Sequence, residues 1–154
     1  MSSNSAPIYG RQFIRYAETF EAATDTQAGV VGTVEIGEMR AVSYATYAGT
    51  NVAAAPDAFT AAPTTIVGIN QAYMPTAIAS PYTARQLTVA TSGLLLIEVA
   101  TASAAIVLNS ALQINSLGQA TAAGTAVTID GTTPLIRENI STGGRRMALV
   151  SFSW

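Results

Sequence analysis

The chain has 154 residues, nine Asp or Glu against seven basic residues that are all Arg, a formal net charge of −2, and no Lys, His or Cys. Those absences exclude disulfides, thiolate zinc sites, cysteine nucleophiles, histidine bases and ligands, and lysine Schiff-base or P-loop chemistry. Only 10% of residues are charged, against about 25% in ordinary globular domains, and such a surface suits a protein packed on others, because charges are depleted at interface cores.

The length fits a single domain with an arm: residues 1–28 are expected to form an N-terminal arm and 29–154 one β domain. Met1–Pro7 is small and polar with nothing to bury. The first residues lack a basic stretch followed by an apolar one, so synthesis in a cytoplasm without export by that route is expected. In Tyr9–Phe20 (YGRQFIRYAETF) Phe13, Tyr16 and Phe20 fall at helical spacing, and Glu18 follows Arg15 by three residues. This supports two readings, a short amphipathic helix or an extended arm whose aromatics anchor a neighbouring subunit. Both predict covered aromatics.

Beyond a polar break at 24–29, Val34 and Ile36 alternate with Thr33 and Glu35, the period of a half-buried strand; the phase shift toward Met39 and Ala41 predicts a bulge at Gly37. Residues 48–65, rich in Ala, Pro and Thr without periodicity, read as a long surface loop. Ile66–Ala72 reads as a buried strand and 73–86 as a second loop broken by Pro75 and Pro81. The central stretch, Leu87–Gly124, reads as a strand, a tight Ser92-Gly93 turn and a second apolar strand holding Leu94-Leu95-Leu96-Ile97, the longest apolar run, closed by Glu98. Burial of Leu94–Val99 on both faces requires a covering strand or subunit. Ala111–Asn115 and Gln119–Thr121 flank Ser116-Leu117-Gly118, the pattern of a three-residue hairpin loop with Gly in the left-handed position. Ala126–Asp130 is a short strand ended by Asp130-Gly131. A last hairpin turns at Ser141–Gly144, and its returning strand places Val150, Phe152 and Trp154 on one face. The fold expected is all-β, a small antiparallel barrel or sandwich with long loops and an N-terminal arm.

Glu18/Glu21 and Glu35/Glu38 are each three apart, which on strands points them to opposite faces, and no base or metal-ligand set accompanies them. The Ser and Thr hydroxyls lack an activating base of the usual kinds. Arg145-Arg146 is the densest positive spot and reads mainly as charge flanking a turn, with a phosphate or an acidic partner as the alternative. Tyr44, Tyr47, Tyr73 and Tyr82 in or beside the Pro/Ala loops suit either a sugar or a protein interface. No catalytic, cofactor or metal residue is identified, and the expectation is a protein that is not an enzyme and needs no cofactor. The slightly acidic balance gives no reason to expect nucleic acid, and no apolar run approaches the ~18 residues of a membrane span.

From Ile66 on, the order of parts is more specific. Ile66-Val67-Gly68-Ile69 is followed by an interruption and by Leu87-Thr88-Val89-Ala90-Thr91-Ser92-Gly93, then the apolar strand Leu94–Ala100. The hairpin Ala111–Thr121 follows, and Leu135–Ile140, Gly143-Gly144 and Ala148-Leu149-Val150 close the chain. In this order the chain resembles the head decoration (capsid-stabilising, or cement) proteins of tailed bacteriophages over a little more than half its length. The loops at 48–65 and 73–86, Arg137-Glu138-Asn139 in the last hairpin and the N-terminal aromatic segment depart from the family pattern. The resemblance implies a β-tulip-like domain, often a homotrimer, that binds the major capsid protein on the outer surface of an assembled head in the virion and clamps neighbouring capsomers. Tyr9, Arg11, Phe13, Arg15, Tyr16 and Phe20 are the contact residues expected, as anchor-type aromatics and arginines. The alternatives are a carbohydrate- or receptor-binding β-module of a phage tail or spike, and a tail-tube or connector subunit.

Overall fold

The computed structural model describes residues 12–21, 38–47, 50–54, 62–71, 86–142 and 144–152. Among them the regular elements are all strands: β1 (Phe13–Glu21), β2 (Ala41–Tyr47), β3 (Thr50–Ala54), β4 (Gly68–Asn70), β5 (Gln86–Glu98), β6 (Gln113–Ile114), β7 (Thr125–Ala126), β8 (Leu135–Thr142) and β9 (Arg145–Phe152). The class is all-β, with every strand pair antiparallel. The main sheet runs β3-β2-β4-β5-β9-β8, with β1 added on β5. No pairing among the described residues joins β3 to β8, so the barrel is not closed and the arrangement is sandwich-like.

The pivot is β5. Val89 and Ala90 pair with both β1 and β4, and Gly93 and Leu94 pair with both β1 and β9. A strand has two edges, so β4 and β9 share the edge opposite β1, and β5 passes from one half of the sheet to the other. The passage is at Gly93, where a tight turn is expected from the sequence and the chain instead runs straight through with φ at 123°. Gly supplies this positive φ without steric cost. A side chain at Gly93 would also strike the Phe13 carbonyl of β1. The Ser92-Gly93 pair thus lies inside one continuous strand rather than at a reversal, and the bulge of β5 is the extra residue beside it, Thr91.

The bulge flips the side-chain phase. Ala90 before it, and Leu95, Ile97 and Val99 after it, all enter one core with Ile69, Ile136, Ala148, Val150 and Phe152. The stretch 99–134, carrying β6 and β7, lies over this core and contributes Ile106, Leu112, Ile114, Ala120, Val127 and Ile129. On the opposite face Leu96 packs with Met39, Met147 and Leu149, flanked by Leu94 and Ile140. Ile136 and Ile140 reach different cores because β8 carries its own register shift between Ile136 and Glu138. Leu94–Val99 is therefore covered on both faces within one chain. Each fully buried Leu or Ile contributes about 1.5–3 kcal/mol relative to exposure.

Other expectations divide. The hairpin at Ser116–Gly118 forms, with Gly118 at φ 76° and Asn115 N–H donating to Gln119 O at 3.0 Å. Asp130 and Gly131 make a two-residue turn with φ of 47° and 75°, closed by reciprocal bonds between Ile129 and Thr132. Ile69 and Asn70 in β4 are fully buried. Residues 48–65 are not wholly loop, since they hold β3, which pairs with β2 from Tyr47↔Thr50 to Ser43↔Ala54. A strand of Thr, Asn, Val and Ala gives no alternation to read, and here backbone pairing decides. The helical alternative for Tyr9–Phe20 is corrected: Phe13–Glu21 is a strand paired along β5. A helix this short is marginal alone, while the ladder to β5 satisfies its backbone directly. The strand expected at Val34–Ile36 and the bulge at Gly37 lie outside the described residues, as does Trp154.

Candidate functional site

The ladder pins β1 by one end. Gln12 accepts the Leu96 N–H on its Oε1 at 2.9 Å and donates from Nε2 to Gln71 Oε1 at 3.1 Å. Gln71 in turn donates to Ile69 O at 3.1 Å. The pairs then run from Phe13↔Leu94 to Glu21↔Gln86, with two irregularities. Arg15 is the extra residue on β1, between Ile14↔Gly93 and Tyr16↔Ser92; Thr91 is the extra residue on β5, between Tyr16↔Ser92 and Ala17↔Ala90.

What β1 presents is unusual for its residue types. Every residue from Phe13 to Thr19 is exposed, with Phe13 at 56%, Ile14 at 41% and Tyr16 at 62%. Successive strand residues point to opposite faces, so exposure of both Phe13 and Ile14 means that this end of β1 is solvent-accessible on both sides. The Arg15 guanidinium lies 5.8 Å from the centre of the Tyr16 ring, within cation–π range. Of the six contact residues expected, the structure thus gathers Phe13, Arg15 and Tyr16 at one exposed end of β1 and places Phe20 half-buried toward the other. Tyr9 and Arg11 lie outside the described residues.

Beside Arg15 and Tyr16 opens a cleft of about 540 Å³, lined also by Glu18, Thr65, Thr91, Ser92 and Asp130. Ile66 N–H donates to Thr128 O at 2.9 Å, and this cross-link brings the Thr65 segment against the Asp130 turn. Sequence reasoning missed this grouping, because its members come from four separate segments. A signal existed in Asp130-Gly131, a turn pair that aims a carboxylate outward.

The other charges serve structure. Arg145 meets Glu38 at 3.3 Å. Arg146 donates to the Ser103 carbonyl at 2.6 Å and to Ala104 O at 3.2 Å, clamping the loop after β5. The turn-flanking reading of Arg145-Arg146 fits this geometry. Arg40 and Glu98 pair at 2.9 Å, and Gln119 adds a bond to the same carboxylate at 3.3 Å. Arg137 donates to Asn109 Oδ1 at 2.8 Å and Ser151 Oγ at 3.1 Å. A second exposed apolar spot, Val107 at 71% and Leu108 at 50%, tops the clamped loop and was not anticipated. Glu35, Tyr73 and Tyr82 lie outside the described residues, as do the side chains of Tyr44 and Tyr47. Among the described residues no three His, Cys, Asp or Glu side chains gather as a metal site.

Comparison with protein-family models, with curated proteins and with solved structures gives no match to this chain.

Proposed function

We propose that this protein is a non-enzymatic virion component that binds the major capsid protein on the outer surface of a phage head, as a homotrimer, and clamps neighbouring capsomers. The observation that carries the reading is the Phe13–Tyr16 end of β1, where two large apolar side chains and a tyrosine stand exposed on both faces of a strand. Exposed apolar groups of this size on a low-charge surface mark interaction sites, and aromatic and Arg anchors dominate interface energetics. Many copies at symmetry-related positions convert a modest single contact into firm attachment. The order of strand motifs from Ile66 onward resembles that of head decoration proteins, and the class of partner is proposed from that resemblance.

The test is co-sedimentation with expanded, empty heads of a tailed phage carrying the cognate capsid protein, together with a mass measurement of the unbound protein. Binding is expected at saturable stoichiometry, and the double variant Phe13→Ser/Ile14→Ser should weaken it about tenfold or more, as loss of an anchor does. Equal binding by the double variant refutes the role of β1; absence of binding to such heads refutes the function.

A further inference from the structure

We propose that the cleft beside β1 is a glycan-binding site, in which the Tyr16 ring faces the carbon skeleton of a neutral sugar while Glu18, Asp130 and Arg15 take its hydroxyls. The charges single this place out. Six charged side chains elsewhere, Glu38, Arg40, Glu98, Arg137, Arg145 and Arg146, are engaged with protein groups. Arg15, Glu18 and Asp130 have neither an ion pair nor a side-chain hydrogen bond among the described residues, and all three line this cleft.

Backbone irregularity points to the same spot. The two extra residues of the β1–β5 ladder, Arg15 and Thr91, both line the cleft, one from each strand. Bulges re-aim side chains and concentrate beside functional sites. Asp130 is held there at φ 47° by its turn.

The mixture of groups selects the ligand class. A carboxylate only accepts hydrogen bonds and a guanidinium only donates them, whereas a hydroxyl does both. An anion would meet two carboxylates against one Arg, and a cation would meet Arg15; a neutral polyol satisfies all three without counter-charge. Tyr16 offers an apolar ring face, and Arg15 over the ring steadies it. About 540 Å³ falls within the roughly 300–1,000 Å³ of small-ligand sites. Arg15 and Tyr16 belong to both this site and the proposed capsid contact, whereas Phe13 and Ile14 are outside the lining and Asp130 lies off β1, so Phe13→Ser/Ile14→Ser and Asp130→Asn test the two surfaces separately.

The full chain is titrated by two-dimensional NMR with methyl glycosides of glucose, galactose, mannose and N-acetylglucosamine and with their disaccharides. The expected result is saturable shifts of the Thr65, Thr91, Ser92 and Ile129 amides with at least one sugar. Glu18→Gln and Asp130→Asn should each weaken that binding about tenfold, while Tyr16→Phe, which keeps the ring, retains it. Asn accepts the left-handed φ at position 130 and Glu18 is exposed, so both variants should keep the parent far-UV spectrum. No shift of these amides with any sugar at millimolar concentration overturns the proposal. Larger shifts of the same amides by an Arg-rich peptide or inorganic phosphate overturn it too. Sugar binding without capsid binding would remove the function proposed above and leave this site standing.

Discussion

Gly93→Ala tests whether β1 is held by close backbone approach beside the bulge of β5. Two costs act at this position. With φ at 123°, an L residue is forced into a conformation that costs of order 1–3 kcal/mol. The added Cβ would also collide with the Phe13 carbonyl and sit 2.9 Å from Arg15 N, both backbone atoms that cannot rotate away. Relief requires the Phe13–Ile14 end of β1 to lift off, losing one or two ladder bonds at about 0.5–1.5 kcal/mol each. The sum is about 1.5–6 kcal/mol, which for a chain of this size lowers Tm by roughly 3–24 °C. Gly131→Ala is the control: its φ is 75° and nothing lies within 4 Å of its added Cβ, so it should cost only about 1–2 kcal/mol. Thermal unfolding by circular dichroism gives the two shifts, and hydrogen exchange should show protection lost first at the start of β1. A Gly93→Ala variant no less stable than Gly131→Ala, with β1 protection intact, refutes the reasoning.

Leu96→Ala should cost about 2–5 kcal/mol in chemical denaturation, because Leu96 is fully buried in the smaller core; a cost below 1 kcal/mol would mean that the second face is not packed. Arg40→Met leaves the Glu98 carboxylate with Gln119 alone, and a loss of about 1–3 kcal/mol is expected, with part of it restored in the double variant Arg40→Met/Glu98→Gln. Arg146→Gln removes the donors that hold Ser103 O and Ala104 O, so amide exchange in residues 101–108 should quicken while β6–β9 stay protected.

Legibility in the sequence followed the strength of local signals. The Ser116–Gly118 hairpin and the Asp130-Gly131 turn were readable because each needs positive φ at a set place, whereas the alternation in RRMALVSF marked only one of the two buried faces of β9. Gly93 was half readable: the need for positive φ was visible, but whether the chain reverses or runs on depends on β1, some 80 residues away. Strand β3 was hidden because its small side chains carry no period. In Phe13–Phe20 the aromatic spacing matches a helix only by coincidence, since a strand with an extra residue at Arg15 drifts out of strict alternation. The exposed anchors were legible as residue types, whereas the cleft was not, because Arg15, Thr65, Thr91 and Asp130 meet only through the bulges and the Ile66–Thr128 cross-link.

The two-sided burial of β5 changes how the role of β1 must be tested. Removing residues 1–21 looks like the natural way to abolish a contact made by an arm. In this fold it would also strip a ladder from Leu94 to Gln86, baring N–H and C=O groups on one edge of β5. An exposed strand edge templates association with other chains. The truncated protein is therefore expected to scatter light and elute as aggregates, while Phe13→Ser/Ile14→Ser, which alters only exposed side chains, keeps the parent elution. A truncated chain that stays in the parent's oligomeric state, with unchanged Tm, would show that β1 contributes nothing to the edge of β5. Failure of truncated protein to bind capsids would then report on β1 itself, whereas with aggregation it reports on a damaged sheet.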